Sequence, residues 1–365
     1  MRTHRQTTGQ TDIQVDPSPA ARRRRRRRRV LLAVGVCLVL CLGLSAGGAW
    51  YLNHKVTSQI ERIPDVFTGL THRPVKPPVG TAKKATNILV IGTDRRSEDK
   101  TTGEDATAPT WLPGAQRSDT LMLVHISGDR DNVTVVSIPR DSWVRVPGHG
   151  SAKINAGFSF GGPSLAIRTV EELTGVRIDH LAVVDWDGFK AMIDSLGPIE
   201  VTIEDTVHDS ARDKTWTAGR HRLDGEAALQ FVRQRYGLPG GDLDRVRRQQ
   251  LVLRAILTKA LAQDLWADPI GRYRVLDAVT SNLSLDDGWA IGQVRHLLRQ
   301  ISEVERDNFF FTTAPVRGAG RVGQQSVVFL DDVAGARLWR TVNEDRAPEW
   351  FAAHPETLLP HTPIR

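Results

Sequence analysis

Four short blocks of arginine and aspartate stand at the ends of apolar runs in the middle of this chain. They read Arg117-Ser118-Asp119-Thr120, Ile138-Pro139-Arg140-Asp141, Val232-Arg233-Gln234-Arg235 and Asp244-Arg245-Val246-Arg247-Arg248-Gln249-Gln250. A side chain at such an end is free to point into a cleft. Arginine grips phosphate through two parallel hydrogen bonds, and carboxylate oxygen is a ligand that Mg²⁺ prefers. Together the blocks suggest a site for a charged phosphate ester. Asp94 follows the apolar run Asn87 to Gly92 after one residue, and Asp119 precedes the run from Leu121. If those runs are neighbouring strands with ends on one rim, the two carboxylates can meet around one hard cation; the plain alternative is that each merely caps a turn. Arg233 and Arg235 share a side only if the chain is extended between them. Arg245, Arg248 and Gln249 fall at helical i, i+3 and i+4, one polar face near a helix start, where the dipole also favours an anion.

The elements that must hold these residues alternate in kind. Asn87 to Gly92, Leu121 to Ile126 and Val133 to Ile138 read as strands, the last two joined by the turn-rich Gly128 to Asn132. A long polar loop, Arg95 to Gln116, separates the first two. Ser164 to Leu173 has helical spacing, Leu181 to Val184 reads as a strand, and Asp185 as the N-cap of a helix stopped by Gly197-Pro198. Ile199 to Ile203 alternates like a strand, and Leu223 to Glu226 opens a helix that runs through Phe231. The longest helix is expected over Asp244 to Leu265, then helices at Tyr273 to Leu283 and Asp286 to Ile301, a strand at Phe309 to Thr313 and a last helix near Asp331 to Val342. The fold class expected is α/β, a mixed central β-sheet flanked by helices, preceded by an N-terminal transmembrane helix.

That last expectation rests on Val30 to Leu52, 23 residues without a charge. About 20 apolar residues cross ~30 Å of hydrocarbon. Eight arginines, Arg22 to Arg29, abut the segment, so the N-terminus is expected in the cytoplasm and the remainder outside. A cleaved signal peptide has a shorter apolar region, usually 7–15 residues. Residues 1–29 carry ten Arg and two Asp, whereas the other 336 residues hold 39 basic and 40 acidic side chains. The net charge of +7 therefore belongs to the tail. Its position beside the bilayer accounts for it through anionic lipid, and no nucleic-acid partner is expected. The two cysteines, Cys37 and Cys41, lie inside the span, which leaves no disulfide, thiolate metal site or catalytic cysteine outside. The organisation expected is a basic cytoplasmic tail (1–29), an anchor (30–52), an extracytoplasmic stalk (53–85) containing Pro64, Pro74, Pro77 and Pro78, a catalytic domain (86–345) and a C-terminal tail (346–365).

Two motif matches lack the context their chemistry needs. Gly43-Leu44-Ser45-Ala46-Gly47 fits a nucleophile elbow but lies within the expected span. Gly318-Ala319-Gly320-Arg321-Val322-Gly323 fits a dinucleotide fingerprint but precedes a strand-like run, so a hairpin is expected. The eleven histidines show no zinc spacing. Leu251, Val252, Leu253, Ala255, Ile256, Leu257, Ala260, Leu261 and Leu265 cover nearly the whole circumference of the longest helix, as in a helix buried on several sides.

The chain resembles the LytR-CpsA-Psr family of cell-wall ligases over roughly Asn87 to Pro315. The matching text is Asn87-Ile-Leu-Val-Ile-Gly-Thr-Asp94, Arg117-Ser-Asp-Thr120, Ser137-Ile-Pro-Arg-Asp141, Lys153-Ile-Asn-Ala156, Gly161-Gly-Pro163, Leu223-Asp-Gly-Glu-Ala227, Val232-Arg-Gln-Arg235 and Asp244-Arg-Val-Arg-Arg-Gln-Gln250. The resemblance implies transfer of a polyprenyl-pyrophosphate-linked glycopolymer (teichoic acid, arabinogalactan or capsule) onto peptidoglycan outside the bacterial plasma membrane. A phosphodiester forms and polyprenyl phosphate leaves. It further implies that Asp94 and Asp119 hold Mg²⁺ (or Mn²⁺), and that Arg95, Arg117, Arg140, Arg233, Arg235 and Arg245 surround the pyrophosphate, supported by Arg248 and Gln249. Asp224 stands where the family pattern leads one to expect Asn. Two other readings remain: hydrolysis of the same lipid pyrophosphate, and a membrane-bound transcriptional attenuator, for which the 29-residue tail offers no periodicity that would fold a DNA-reading module.

Overall fold

The computed structural model describes residues 61–95, 102, 111, 116–262, 265, 266 and 268–360. All belong to the compact unit Val56–Arg365. The strands in chain order are β1 (Glu61–Ile63), β2 (Thr86–Arg95), β3 (Gln116–Ile126), β4 (Val133–Ile138), β5 (Trp143–Val146), β6 (Gly150–Lys153), β7 (His180–Val184), β8 (Ile199–Ile203), β9 (Val207–Asp209), β10 (Lys214–Trp216), β11 (Gly219–Leu223), β12 (Ser284–Asp286), β13 (Phe309–Thr313), β14 (Val316–Val322) and β15 (Gln325–Leu330). The helices are α1 (Asn155–Thr174), α2 (Trp186–Leu196), α3 (Gly225–Arg233), α4 (Asp242–Ala260), α5 (Pro269–Thr280), α6 (Ile291–Ser302), α7 (Asp332–Asn343) and α8 (Ala347–Ala353).

Seven strands form one mixed sheet in the order β1-β12-β7-β2-β3-β4-β13. The pairs β2–β3 and β3–β4 are antiparallel, whereas β2–β7 and β4–β13 are parallel. Side chains alternate faces along a strand, so each central strand serves two cores. From β2, Ile88 packs with buried residues of α2 to α6, while Leu89 and Ile91 pack with those of α1, α7 and α8. β3 divides in the same way, Met122 to the first core and Leu121 and Leu123 to the second. The α/β sheet flanked by helices expected from the sequence is the fold observed.

Some boundaries differ from the sequence reading. The stalk expected at 53–85 is instead docked from Glu61 onward: β1 pairs with β12, Ile63 and Val66 are buried, and Arg73 reaches both carboxylate oxygens of Glu171 at 3.0 and 2.6 Å. Proline content marked an irregular chain, but irregular chain can still pack. The segment taken as a C-terminal tail also belongs to the fold, with Trp350 and Phe351 buried and Leu359 N–H donating to Phe311 O at 2.7 Å. α1 starts nine residues before Ser164 because its two halves meet at a kink, where Gly162 takes φ 63°. The glycine motif at 318–323 lies in the β14–β15 hairpin, which rules out a phosphate-binding helix start there. The expected span Val30 to Leu52 lies outside the described residues, among which no helix is long and apolar enough to cross a membrane.

Helices α2, α3 and α4 carry the parts of the site that do not come from the sheet, and α2 and α3 are fixed by their starts. Each starts on an aspartate cap: Asp185 accepts from Gly188 N–H and Asp224 from Ala227 N–H, both at 2.8 Å. At their crossing Gly225 lies so close to α2 that a Cβ would sit 2.4 Å from Lys190 O. Gly225→Ala should therefore cost about 2 kcal/mol of stability through overpacking, readable as a lower urea midpoint.

Candidate functional site

The site begins with a slip in strand pairing. Gly92 faces Thr120 across β2 and β3, but Thr93 faces Ser118, which leaves Asp119 as the extra residue of a bulge. Bulges re-aim a side chain at the end of a ladder. Here the result is that Asp94 and Asp119 line one cleft of about 310 Å³, together with Arg233, Arg235, Arg245 and Gln249. The two acids separated by a long loop in sequence are thus brought together, as the rim argument required.

Arg140 follows β4, the next strand of the sheet, and its Nη1 bonds Asp119 Oδ1. Its Nε lies 3.7 Å from Asp141, whose carboxylate also holds Lys153 at 2.9 Å. Burial would lower its pKa, but the charges of Asp119 and Asp141 and the bond to Asp119 outweigh burial and raise it. The guanidinium stays charged.

α3 ends at Arg233, and Gln234 takes an extended conformation (φ −61°, ψ 135°). This is the condition under which Arg233 and Arg235 fall on one side, and both line the cleft. Gln234 between them turns inward, fully buried, donating to Tyr236 O at 2.9 Å and accepting from Arg248 Nη1 at 2.7 Å. Arg248 therefore does not reach the cleft. It is wholly buried, with its guanidinium 4.2 Å from the centre of the Phe231 ring, and burial pulls its pKa to about 10 against the charges of Asp244 and Asp209. The i, i+3, i+4 face expected on α4 divides: Arg245 and Gln249 face the cleft and Arg248 braces the extended residue Gln234. Arg117 is exposed, opposite Asp94 in the ladder and outside the residues that line the cleft. The side chain of Arg95 lies outside what is described.

Arg245 is the strained charge of the site. Its side chain is 4% exposed, bonded to Asp242 at 2.5 Å, and its Nε has no partner among the described residues. Burial first, then the like charges of Arg140 and Arg235, pull its pKa to about 10 despite Asp242. A guanidinium does not give up its proton at neutral pH, so this incompletely compensated burial costs stability, and an arriving anion would relieve it.

Trp186 is the functional side chain that sequence reasoning missed. Its Nε1–H donates to Asp94 Oδ1 at 3.1 Å, and the Arg233 guanidinium lies 5.0 Å from its ring centre. The available signal was its place directly after β7, at the same rim as Asp94, next to an aspartate read only as a cap. Trp186 also lines an apolar cavity of about 260 Å³ beneath the cleft, walled by residues such as Met122, Phe189, Leu253, Ile256 and Val275. Val232 and Gln249 share this double role. A polar cleft rich in guanidinium groups and an apolar cavity therefore meet at three side chains. Such a pair of compartments suits an anion that carries an apolar chain.

Two carboxylates in one cleft also fit Mg²⁺, which takes one or two from protein and completes its octahedron with water and phosphate oxygens. No group of three or more His, Cys, Asp or Glu able to hold a metal occurs among the described residues.

Two substitutions separate stability from binding. Arg245→Met should leave the protein at least as stable in a thermal melt while weakening inorganic pyrophosphate binding about tenfold or more by calorimetry, because Asp242 remains partly exposed on a helix's first turn. Trp186→Phe keeps the apolar wall but removes the donor to Asp94. The Mn²⁺ affinity followed by electron paramagnetic resonance should shift, with the thermal midpoint nearly unchanged.

The sequence pattern of the LytR_cpsA_psr family matches residues 54–341. Among curated proteins, the chain is 31% identical over 283 residues to the cell wall biosynthesis protein LcpA of Corynebacterium glutamicum, a match covering 68% of this chain and 54% of LcpA. With the probable cell wall biosynthesis protein LcpB of the same organism, identity is 33% over 264 residues, 70% of this chain and 61% of LcpB. The chain thus spans little more than half the length of these two relatives. A polyisoprenyl-teichoic acid–peptidoglycan teichoic acid transferase, TagU of Enterococcus faecalis, is 31% identical over 69% of this chain and 77% of its own length. In fold, the chain is similar to a LytR-Csp2A-Psr enzyme from Actinomyces oris (TM-score 0.59, 23% identity, 78% of this chain and 96% of that one) and to TagT bound to LI-WTA (TM-score 0.58, 23% identity, 75% and 96%). With the family pattern running through the strands and helices that build the cleft, this chain belongs to the LytR_cpsA_psr family.

Proposed function

We propose that the chain is a phosphotransferase of cell-wall assembly. It takes a polyprenyl-pyrophosphate-linked glycopolymer, joins it to a peptidoglycan hydroxyl through a phosphodiester and releases polyprenyl phosphate. The observation that carries the reading is the shared wall of Trp186, Val232 and Gln249, with guanidinium groups on one side and an apolar cavity on the other. A lipid diphosphate joins these two chemistries in one molecule. The name of the TagU relatives, which pairs a polyisoprenyl donor with peptidoglycan, supports the same assignment.

On this reading Arg233, Arg235 and Arg245 hold the diphosphate, and Arg140, held against Asp119, faces the charge that builds up as the bond to the lipid phosphate breaks. Asp94 and Asp119 would hold Mg²⁺ or Mn²⁺, which would neutralise phosphate charge when bound. Trp186 fixes one oxygen of Asp94. Phosphoryl transfer asks a protein mainly for positioning and charge neutralisation, and the guanidinium groups and carboxylates that line one cleft support this reading. The donor supplies the bond energy, as a reaction outside the plasma membrane requires. The single-pass anchor and the extracytoplasmic location remain part of the proposal.

The direct test incubates the purified full chain with a lipid-linked glycopolymer and Mg²⁺, with and without peptidoglycan, and identifies products by mass spectrometry. Polymer-linked muropeptide appearing only with acceptor supports transfer, whereas equal release of free polymer in both arms identifies a hydrolase instead. Arg140→Ala should lower transfer about 10²-fold with an unchanged circular dichroism spectrum. An unaltered rate in that variant would remove Arg140 from the chemistry.

A further inference from the structure

Helix α4 has a third face that neither the cleft nor the apolar cavity uses. Arg245 and Gln249 look into the cleft, and Leu253, Ile256 and Ala260 wall the apolar cavity. Leu251, Arg254, Ala255, Thr258, Lys259 and Ala262, at helical spacing, line a separate groove of about 690 Å³. Its opposite wall comes from β8 and β11, with Arg222, and its end from Arg306 just before β13. Four cations therefore face one hollow.

Their counter-charges are few. Glu200 is the carboxylate that lines the groove, and Arg220 engages it at 3.0 Å. Asp307 lines an adjoining hollow that shares Arg254, Thr258 and Arg306. Among the described residues none of Arg222, Arg254, Lys259 and Arg306 forms an ion pair, although pairs are common elsewhere on the surface, such as Arg168–Glu172, Lys190–Asp187 and Arg346–Glu349. Arg254 is half-buried, donates Nη1–H to Pro360 O at 2.7 Å, and has its pKa lowered by burial with no acid to offset it. A partly buried cation without a carboxylate is left incompletely compensated until something anionic arrives. Outside the first 29 residues, basic and acidic side chains are nearly equal in number, so this imbalance is local.

We propose that this groove binds an anionic glycan chain, one whose sugars carry phosphate or carboxylate groups at intervals. Arg254 and Lys259 stand ~7.5 Å apart along the helix axis, and Arg222 and Arg306 extend the row onto other elements. Repeated charges match that layout better than one phosphate does. A flat bilayer surface cannot follow a concave wall, so a chain is the occupant. The inference deepens the transferase reading by making the carried polymer anionic. The binding it predicts is measurable without any transfer.

The test uses the purified full chain in detergent and follows fluorescence anisotropy of a labelled poly(ribitol phosphate) oligomer, with a neutral dextran oligomer of equal length for comparison. Vesicles containing phosphatidylglycerol form a third arm. The phosphate oligomer should bind at least about tenfold tighter than dextran, with an affinity that falls as salt rises. Lys259→Glu/Arg306→Glu should weaken phosphate-oligomer binding about tenfold, the remainder coming from the basic tail and the cleft, while leaving inorganic pyrophosphate binding in the cleft unchanged. Arg222→Glu, on the opposite wall, repeats the measurement should the double variant fail to fold. Equal oligomer affinity in wild type and variants overturns the proposal, as does a variant defect confined to the vesicles. Failure of the wild type to transfer polymer would count against the transferase reading alone, since the oligomer affinities are read independently.

Discussion

The one-residue slip between β2 and β3 is the constraint from which the site follows. Without it, Asp119 would take its regular place in the ladder opposite Thr93, with a direction set by strand alternation. With it, one acid comes from a paired position and the other from a bulge, and both reach a single cleft. Arg140, just past the end of the adjoining strand, then finds Asp119 within bonding reach. The sheet supplies this geometry because β2, β3 and β4 are consecutive neighbours whose ends meet at one rim.

Around that rim, charge is arranged in two ways. Arg140 is neutralised by Asp119 and Asp141, so burying it is tolerable. Arg245 is not: it shares its neighbourhood with Arg140 and Arg235 and has one close acid, Asp242. A protein selected for stability alone would place an apolar side chain there. The cost falls where an anionic ligand would repay it. Arg248 carries a similar burden for a different purpose, since through Gln234 it fixes the extended turn that points Arg233 and Arg235 the same way.

Most of this fold was legible from apolar periodicity, because strands of five or six mostly apolar residues and capped helices declare themselves locally. Asp185 and Asp224 were readable as caps for that reason. Less legible was anything decided by packing between distant segments. Proline-rich chain before residue 86 looked like a tether, yet Arg73 pins it to Glu171, and nothing in local composition reports that pair. The same holds for Phe310 and Phe351, which stack 4.9 Å apart although one belongs to β13 and the other to α8. In the site, charged residues at strand ends could be listed from sequence, but which of them converge depended on backbone detail. The bulge brought in Asp119, one extended residue brought in Arg233 with Arg235, and a single helical turn turned Arg248 inward. Trp186 was invisible because an aromatic residue at a helix start reads as core until its indole N–H is seen on Asp94.

The wall shared by Trp186, Val232 and Gln249 has a bearing on lipid selectivity under the proposed reading. Only the carbon atoms nearest the diphosphate would touch these three side chains, while the rest of an isoprenoid would lie among aliphatic groups that offer no directional contact. Such a pocket would register the branching and unsaturation of the first prenyl units and be indifferent to how many follow. One enzyme of this design could then serve carriers of different lengths, and any discrimination between them would fall to the machinery that loads the polymer upstream.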